Sequence, residues 1–193
     1  MRLGIFGGSF NPVHNGHLVL ADRCREQLEL DEIWLVPCGR PPHKDPAELA
    51  DGIQRAEMLE LATAGDPRLQ VCGIELERED VSYTVDTLEL IHSEDEAREL
   101  FLLLGADAVE DLPRWHRPER ICELATLVAV NRGETVSTAP VAGARLQHVV
   151  MPAIGYSSSE LRDRARAGLS LRFLLPRAVE VYLTQHDVYG CDR

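Results

Sequence analysis

Leu3-Gly4-Ile5-Phe6-Gly7-Gly8-Ser9-Phe10-Asn11-Pro12-Val13-His14-Asn15-Gly16-His17 decides the fold. The apolar run over residues 3–6 closes on Gly7-Gly8, and Leu18, Ala21, Cys24 and Leu28 then recur at a helical period. Strand, glycine turn and helix follow in order. Outward from this unit the alternation continues. Residues 33–36 read as a second strand ended by Pro37, and residues 39–51 as a polar, proline-rich loop that carries His43 and Lys44. A helix is predicted over 53–64, a strand over 69–73 and a helix over 84–92. Residues 100–104 and 127–130 are continuous apolar runs of strand length, as a parallel sheet covered on both faces requires, and residues 146–151 give one more. Ser157-Ser158-Ser159 caps a helix running to about residue 167, and Pro176 suits the first turn of a last helix with Val179 and Leu183. The expected fold class is α/β: a single Rossmann-like, doubly wound domain over residues 1–193, with a mostly parallel sheet and flanking helices. Ligands of such sheets bind at the carboxyl ends of the strands, where the strand order reverses.

At 193 residues the chain has room for one substantial core and little for a second, so its motifs are expected to serve one site. No stretch approaches the roughly 20 consecutive apolar residues that span a bilayer. The first strand begins almost at Met1, with no basic region or cleavage site before it, which predicts a cytoplasmic protein. The net charge of -12 opposes nucleic-acid binding, which needs a basic face, and no membrane partner is expected. An anionic small substrate remains compatible where a few cations converge. Cys24, Cys38, Cys72, Cys122 and Cys191 are odd in number and form no C-x-x-C pair, so they read as buried or idle thiols.

The turn itself is suited to phosphate. Glycines let backbone N–H groups approach a polyphosphate, and the helix start adds partial positive charge. His14 and His17, three residues apart, share one face of the opening helical turn, with Gly16 leaving room between them. Two histidines at this spacing could also be half a metal site or plain capping residues, but no third ligand is evident and the Gly-Gly turn would be unexplained. Read alone, Ser157-Ser158-Ser159 is an ordinary helix cap, Lys44 an exposed lysine, Arg162 a surface arginine, Trp115 a core residue and Asp107 a loop cap. Asp86 and Asp111 read as helix-surface carboxylates, and residues 94–96 as a solvated helix end.

The His14-Asn15-Gly16-His17 segment resembles the H-x-G-H signature of the nucleotidyltransferase superfamily. Its Gly-Ser-Phe-Asn-Pro lead-in is similar to that of bacterial nicotinate-nucleotide adenylyltransferases. The resemblance extends along nearly the whole chain, through Pro41-Pro42-His43-Lys44, Ser82-Tyr83-Thr84-Val85-Asp86-Thr87-Leu88, Gly105-Ala106-Asp107 with Trp115, and Ser157-Ser158-Ser159-Glu160-Leu161-Arg162. The last segment departs from the family's pattern: Tyr156 replaces an apolar residue and Ser159 a threonine, while the hydroxyls and the arginine survive.

The resemblance implies transfer of the adenylyl group of ATP to nicotinate mononucleotide, giving deamido-NAD and pyrophosphate. His14, His17, Lys44 and Arg162 would be the catalytic groups. ATP would be held by Gly7, Gly8, Ser9, Phe10, His14, Gly16, His17, Lys44, Gly105, Ser157, Ser158 and Arg162. The mononucleotide would meet Ser9, Asn11, His43, Lys44, Tyr83, Thr84, Asp107, Trp115, His116 and Arg132. Residues 1–150 would supply the sheet and substrate loops, and 151–193 the helices that complete the ATP site. Lys44, on its loop, suits a group that closes over triphosphate after binding. Mg²⁺ is expected to arrive bound mainly through ATP, with no metal ligand of the protein's own. A homo-oligomer stays open, since relatives vary in assembly. Two rivals are a pantetheine-phosphate adenylyltransferase, which would show Gly-Thr-Phe-Asp-Pro, and a catalytically silent nucleotide sensor, which would lack one of the two histidines.

Overall fold

A computed structural model describes residues 1–40, 49–78, 80–131 and 138–191. Strand β1 (Arg2–Gly8) feeds helix α1 (Asn15–Gln27), and β2 (Glu32–Pro37), α2 (Gly52–Thr63) and β3 (Leu69–Val71) complete the first half. The second half is α3 (Thr84–Glu94), β4 (Glu99–Gly105), α4 (Ala106–Asp111), a single 3-10 turn (Leu112–Arg114), α5 (Pro118–Leu124), β5 (Ala125–Asn131) and β6 (Leu146–Val150). Helices α6 (Ser158–Arg166) and α7 (Arg177–Gln185) close the chain.

All strand pairs are parallel, in the order β3-β2-β1-β4-β5-β6. This is the order of the doubly wound nucleotide-binding sheet, with its reversal between β1 and β4. Both strands end in glycine there, at Gly7-Gly8 and Gly105. Successive side chains on a strand face opposite ways, so an apolar run serves two cores. Phe6, Leu35, Phe101, Leu103 and Val128 pack under α1, α2, α6 and α7. Ile5, Val36, Leu100, Leu102 and Leu127 pack under α3, α4 and α5. Among the described residues, no helix is long and apolar enough to cross a membrane.

Three differences from the sequence reading have physical causes. Residues 106–124 carry two short helices and a 3-10 turn where no element was expected, because Pro113 and Pro118 punctuate segments too short to show a helical period. Pro118 occupies the first position of α5, where a missing N–H costs nothing. Pro176 is the cap of α7 rather than part of its first turn. Strand β3 stops two residues early, although Cys72 still donates to the Leu35 carbonyl at 2.9 Å before the chain turns at Gly73.

Candidate active site

The turn after β1 is held from below and from the side. Phe10 is buried in the core beside Phe6, with a left-handed φ of 44°. The Asn11-Pro12 bond is cis. The Asn11 carboxamide oxygen accepts from the Ala50 N–H at 3.0 Å and from the Tyr189 hydroxyl, so this side chain faces inward and braces the turn. Across the turn lies the start of α6. Ser158 donates to the Pro12 carbonyl at 3.0 Å and Arg162 to the Asn11 carbonyl at 2.9 Å, while Ser157 caps α6 by accepting from the Glu160 N–H. The C-terminal segment is thereby fastened onto the phosphate-type turn.

His14 caps α1, and its ring stacks on that of His17 with centroids 3.7 Å apart. The His14 backbone N–H donates to Nδ1 of His17 at 3.1 Å. With Nδ1 accepting, a neutral His17 carries its proton on Nε2, on the far side of the ring. Phe10 supports the ring from a third direction, edge to face at 5.1 Å. A Cβ on Gly16 would lie 2.9 Å from the His14 imidazole, so only glycine permits the stacked pair. Tyr156 places its ring edge against His14 at 5.5 Å, an aromatic contact that an aliphatic residue would not make.

On the opposite face of the sheet a cavity of about 890 Å³ opens at the carboxyl ends of β1, β2 and β4. Gly7 and Gly8 form one wall, Tyr83 and Thr84 at the start of α3 another, and Asp107, Trp115 and His116 the rim. His116 packs its ring on Tyr83, with centroids 4.5 Å apart. The structure thus brings together Gly7, Gly8, Tyr83, Thr84, Asp107, Trp115 and His116 in the cavity, and His14, Gly16, His17, Ser157, Ser158 and Arg162 on the other side of the same turn. Ser9 follows Gly8 in the turn, and its carbonyl accepts from Arg55 at 2.9 Å. Gly105 caps α4 with open space around its Cα, and Asp107 stands on the first turn of that helix rather than in a loop. His43, Lys44 and Arg132 lie outside the described residues.

Several cavity residues escaped the sequence reading. Asp111, the last residue of α4, is a half-exposed helix-surface carboxylate as read, paired with the largely exposed Arg114 at 3.1 Å, and it also borders the cavity. Arg117 points away, pairing with Glu89 at 2.9 Å. Glu75 is the main omission. Its carboxylate is buried on the cavity floor and accepts from the Thr87 hydroxyl at 2.8 Å, with the Gly39 N–H and the Ser82 hydroxyl directed at it as well. Burial outweighs these bonds and pushes the Glu75 carboxyl above its usual range. Only its place beside Ser82-Tyr83-Thr84 could have signalled it, because in Glu75-Leu76-Glu77-Arg78 it reads as one solvated charge among several.

A raised folded pKa means that the folded state binds the proton more tightly than the unfolded chain. Glu75 therefore contributes stability that is present below the ordinary glutamate value and lost as pH rises through the folded value. Glu75→Gln is expected to remove that dependence: the wild-type melting temperature minus that of the variant should fall as pH goes from 4 to 7. A difference that stays flat or grows with pH would show that the carboxylate is stabilised where it lies.

The family model described as cytidylyltransferase-like matches residues 5–164, and the chain belongs to that family. Among named relatives, a Thermus thermophilus protein called "Probable nicotinate-nucleotide adenylyltransferase" is 46% identical over 98% of this chain and 100% of its own. A Salinibacter ruber protein of the same name is 40% identical over 98% of each chain. The fold is also that of the Plasmodium falciparum nicotinic acid mononucleotide adenylyltransferase solved with NaAD, which has a TM-score of 0.81, 19% identity and 97% coverage of both chains.

Proposed function

We propose that this enzyme transfers the adenylyl group of ATP to nicotinate mononucleotide, releasing pyrophosphate and forming deamido-NAD, a step of NAD biosynthesis. The observation that carries the reading is the pairing of two half-sites on one turn: a cavity of nucleoside size on one side, and the stacked histidines under α6 on the other. The activity named for the bacterial relatives supports it.

The mononucleotide's phosphate oxygen attacks the α-phosphorus of ATP in line with the departing pyrophosphate. An existing phosphate is already a competent nucleophile near neutral pH, so the protein supplies alignment and charge stabilisation and no covalent intermediate is needed. His17 offers its Nε2–H, and His14, Lys44 and Arg162 serve as further donors to the phosphates as charge moves onto the leaving group. Ser9, Gly7 and Gly8 approach the phosphates through their backbone, and Trp115 stacks the pyridine while Asp107 accepts from ribose hydroxyls. Mg²⁺ arrives with ATP. The described turn offers N–H, imidazole and guanidinium donors and the Asn11 carboxamide oxygen is engaged twice within the protein, so the donor set suits phosphate and leaves the ion to the nucleotide and water.

The test is purified protein with Mg-ATP and a panel of acceptors, following pyrophosphate release and product mass. Nicotinate mononucleotide should give a dinucleotide at the highest rate. A preference for phosphopantetheine, or binding of nucleotide without turnover, would replace this reading by one of the two rivals.

A further inference from the structure

Arg55, on α2, is 2% exposed, and among the described residues every hydrogen bond of its side chain goes to an uncharged acceptor. A buried guanidinium is ordinarily paired with a carboxylate. Here Nε donates to the Ala50 carbonyl at 3.0 Å, one terminal nitrogen to the Ser9 carbonyl at 2.9 Å and the other to the Cys38 carbonyl at 2.7 Å. The three carbonyls belong to three places: the turn after β1, the residue following β2, and the residue before the Asp51 cap of α2. Its position in the sequence explains the burial, since Arg55 shares a helix face with Met58 and Leu59.

Each of these bonds fixes a peptide plane. In a trans peptide the C=O and the following N–H point opposite ways. With the Ser9 carbonyl drawn inward to Arg55, the Phe10 N–H is turned to the other side of the plane, away from Arg55. With the Cys38 carbonyl drawn inward, the Gly39 N–H is turned toward Glu75. The chain there is packed so closely that a Cβ on Gly39 would lie 2.2 Å from the Glu75 carbonyl oxygen. Cys38 also donates its own N–H to the Gly8 carbonyl at 2.9 Å, and Ser82 donates to the Arg40 carbonyl at 3.2 Å. Arg55 thus braces, through Ser9 and Cys38, the junction at which the phosphate-type turn meets the segment leading to the wall that carries Tyr83 and Thr84.

We propose that Arg55 is a positioning residue of the nucleotide site, locking the turn at Ser9 and the flanks at Cys38 and Ala50 into one unit that holds substrate phosphate in reach of the histidines. The proposal rests on the adenylyl-transfer reading for its substrate. It works through geometry as much as charge, because only the planar fork of arginine reaches three carbonyls at once, and lysine keeps the charge without the fork.

The test combines Arg55→Lys with a wild-type measurement. Arg55→Lys is expected to bind α,β-methylene ATP at least about tenfold more weakly, and to lose at least about tenfold in kcat/KM, the scale of a small misplacement of reacting groups. Its melting temperature should stay well above that of the assay. Analogue affinity and turnover per folded molecule within about threefold of wild type would overturn the proposal, whatever happens to melting, since a purely structural role moves only stability. If the wild type forms no dinucleotide from nicotinate mononucleotide, the functional reading fails, and analogue binding still decides the role of Arg55. If the variant does not fold, nuclear magnetic resonance of the wild type decides: resolved, slowly exchanging Arg55 guanidinium protons that shift with the analogue are expected, and averaged or unmoved signals would overturn the proposal.

Discussion

His17→Ala is expected to lower kcat by about 10² to 10³ while the protein still folds, the usual loss when one donor to a developing oxyanion is removed. The geometry explains why this ring should matter more than its exposure suggests. Its Nδ1 is occupied by the His14 backbone N–H, one face is stacked on the His14 ring and Phe10 supports it edge-on, so the Nε2–H is held before substrate arrives. A donor fixed in advance loses little entropy at the transition state, which is the condition for a large electrostatic contribution. The measurement is turnover at saturating ATP and acceptor, beside a melting curve. Activity within about threefold of wild type would remove His17 from the machinery.

The second large effect expected is selectivity: kcat/KM for nicotinate mononucleotide should exceed that for the nicotinamide form by at least about tenfold, since charge-assisted bonds are worth about 1.5 to 3 kcal/mol each. Among the described residues, simple attraction by an arginine does not explain such a preference. The cavity is lined by Glu75, Asp107 and Asp111, its lining Arg114 is already paired with Asp111, and Arg117 is paired with Glu89. Backbone donors remain. Tyr83 caps α3 and Thr84 is its first residue, so neither N–H has a partner within the helix, and the helix start favours an anion. Two such donors satisfy both oxygens of a carboxylate, whereas a carboxamide meets one of them with its own NH₂. Thr84→Pro should erode the preference by deleting one donor. Proline is tolerated at a first helical position, and Tyr83 already has the extended backbone (φ -99°, ψ 136°) that a following proline requires. Trp115→Ala should instead weaken both acceptors alike. Equal kcat/KM for acid and amide in the wild type would refute this account of the cavity.

The sheet was legible because its strands are short apolar runs separated by glycine and polar turns, and the doubly wound order follows from their alternation with helices. The histidine pair was legible for a local reason, since three-residue spacing on a helix start puts both rings on one face. What escaped was long-range. Arg55 and Glu75 look like surface charges in the chain, and only the folding of α2 and the segment before α3 against the ends of β1 and β2 buries them. Asp111 was read as a helix-surface carboxylate and is one, but the short helix that brings it beside the cavity has too few apolar positions to declare a period. The serines at 157–159 show both readings at once: Ser157 is a helix cap, and Ser158 reaches back to the turn.

The most direct test of the central claim uses ATP with a chiral thiophosphate at the α position and nicotinate mononucleotide as acceptor. Transfer in a single in-line displacement predicts the corresponding adenylylated dinucleotide with inverted configuration at that phosphorus. A dinucleotide with retained configuration would demand a covalent adenylyl-enzyme, and no dinucleotide at all, with Mg-ATP and acceptor both saturating, would contradict the assigned reaction.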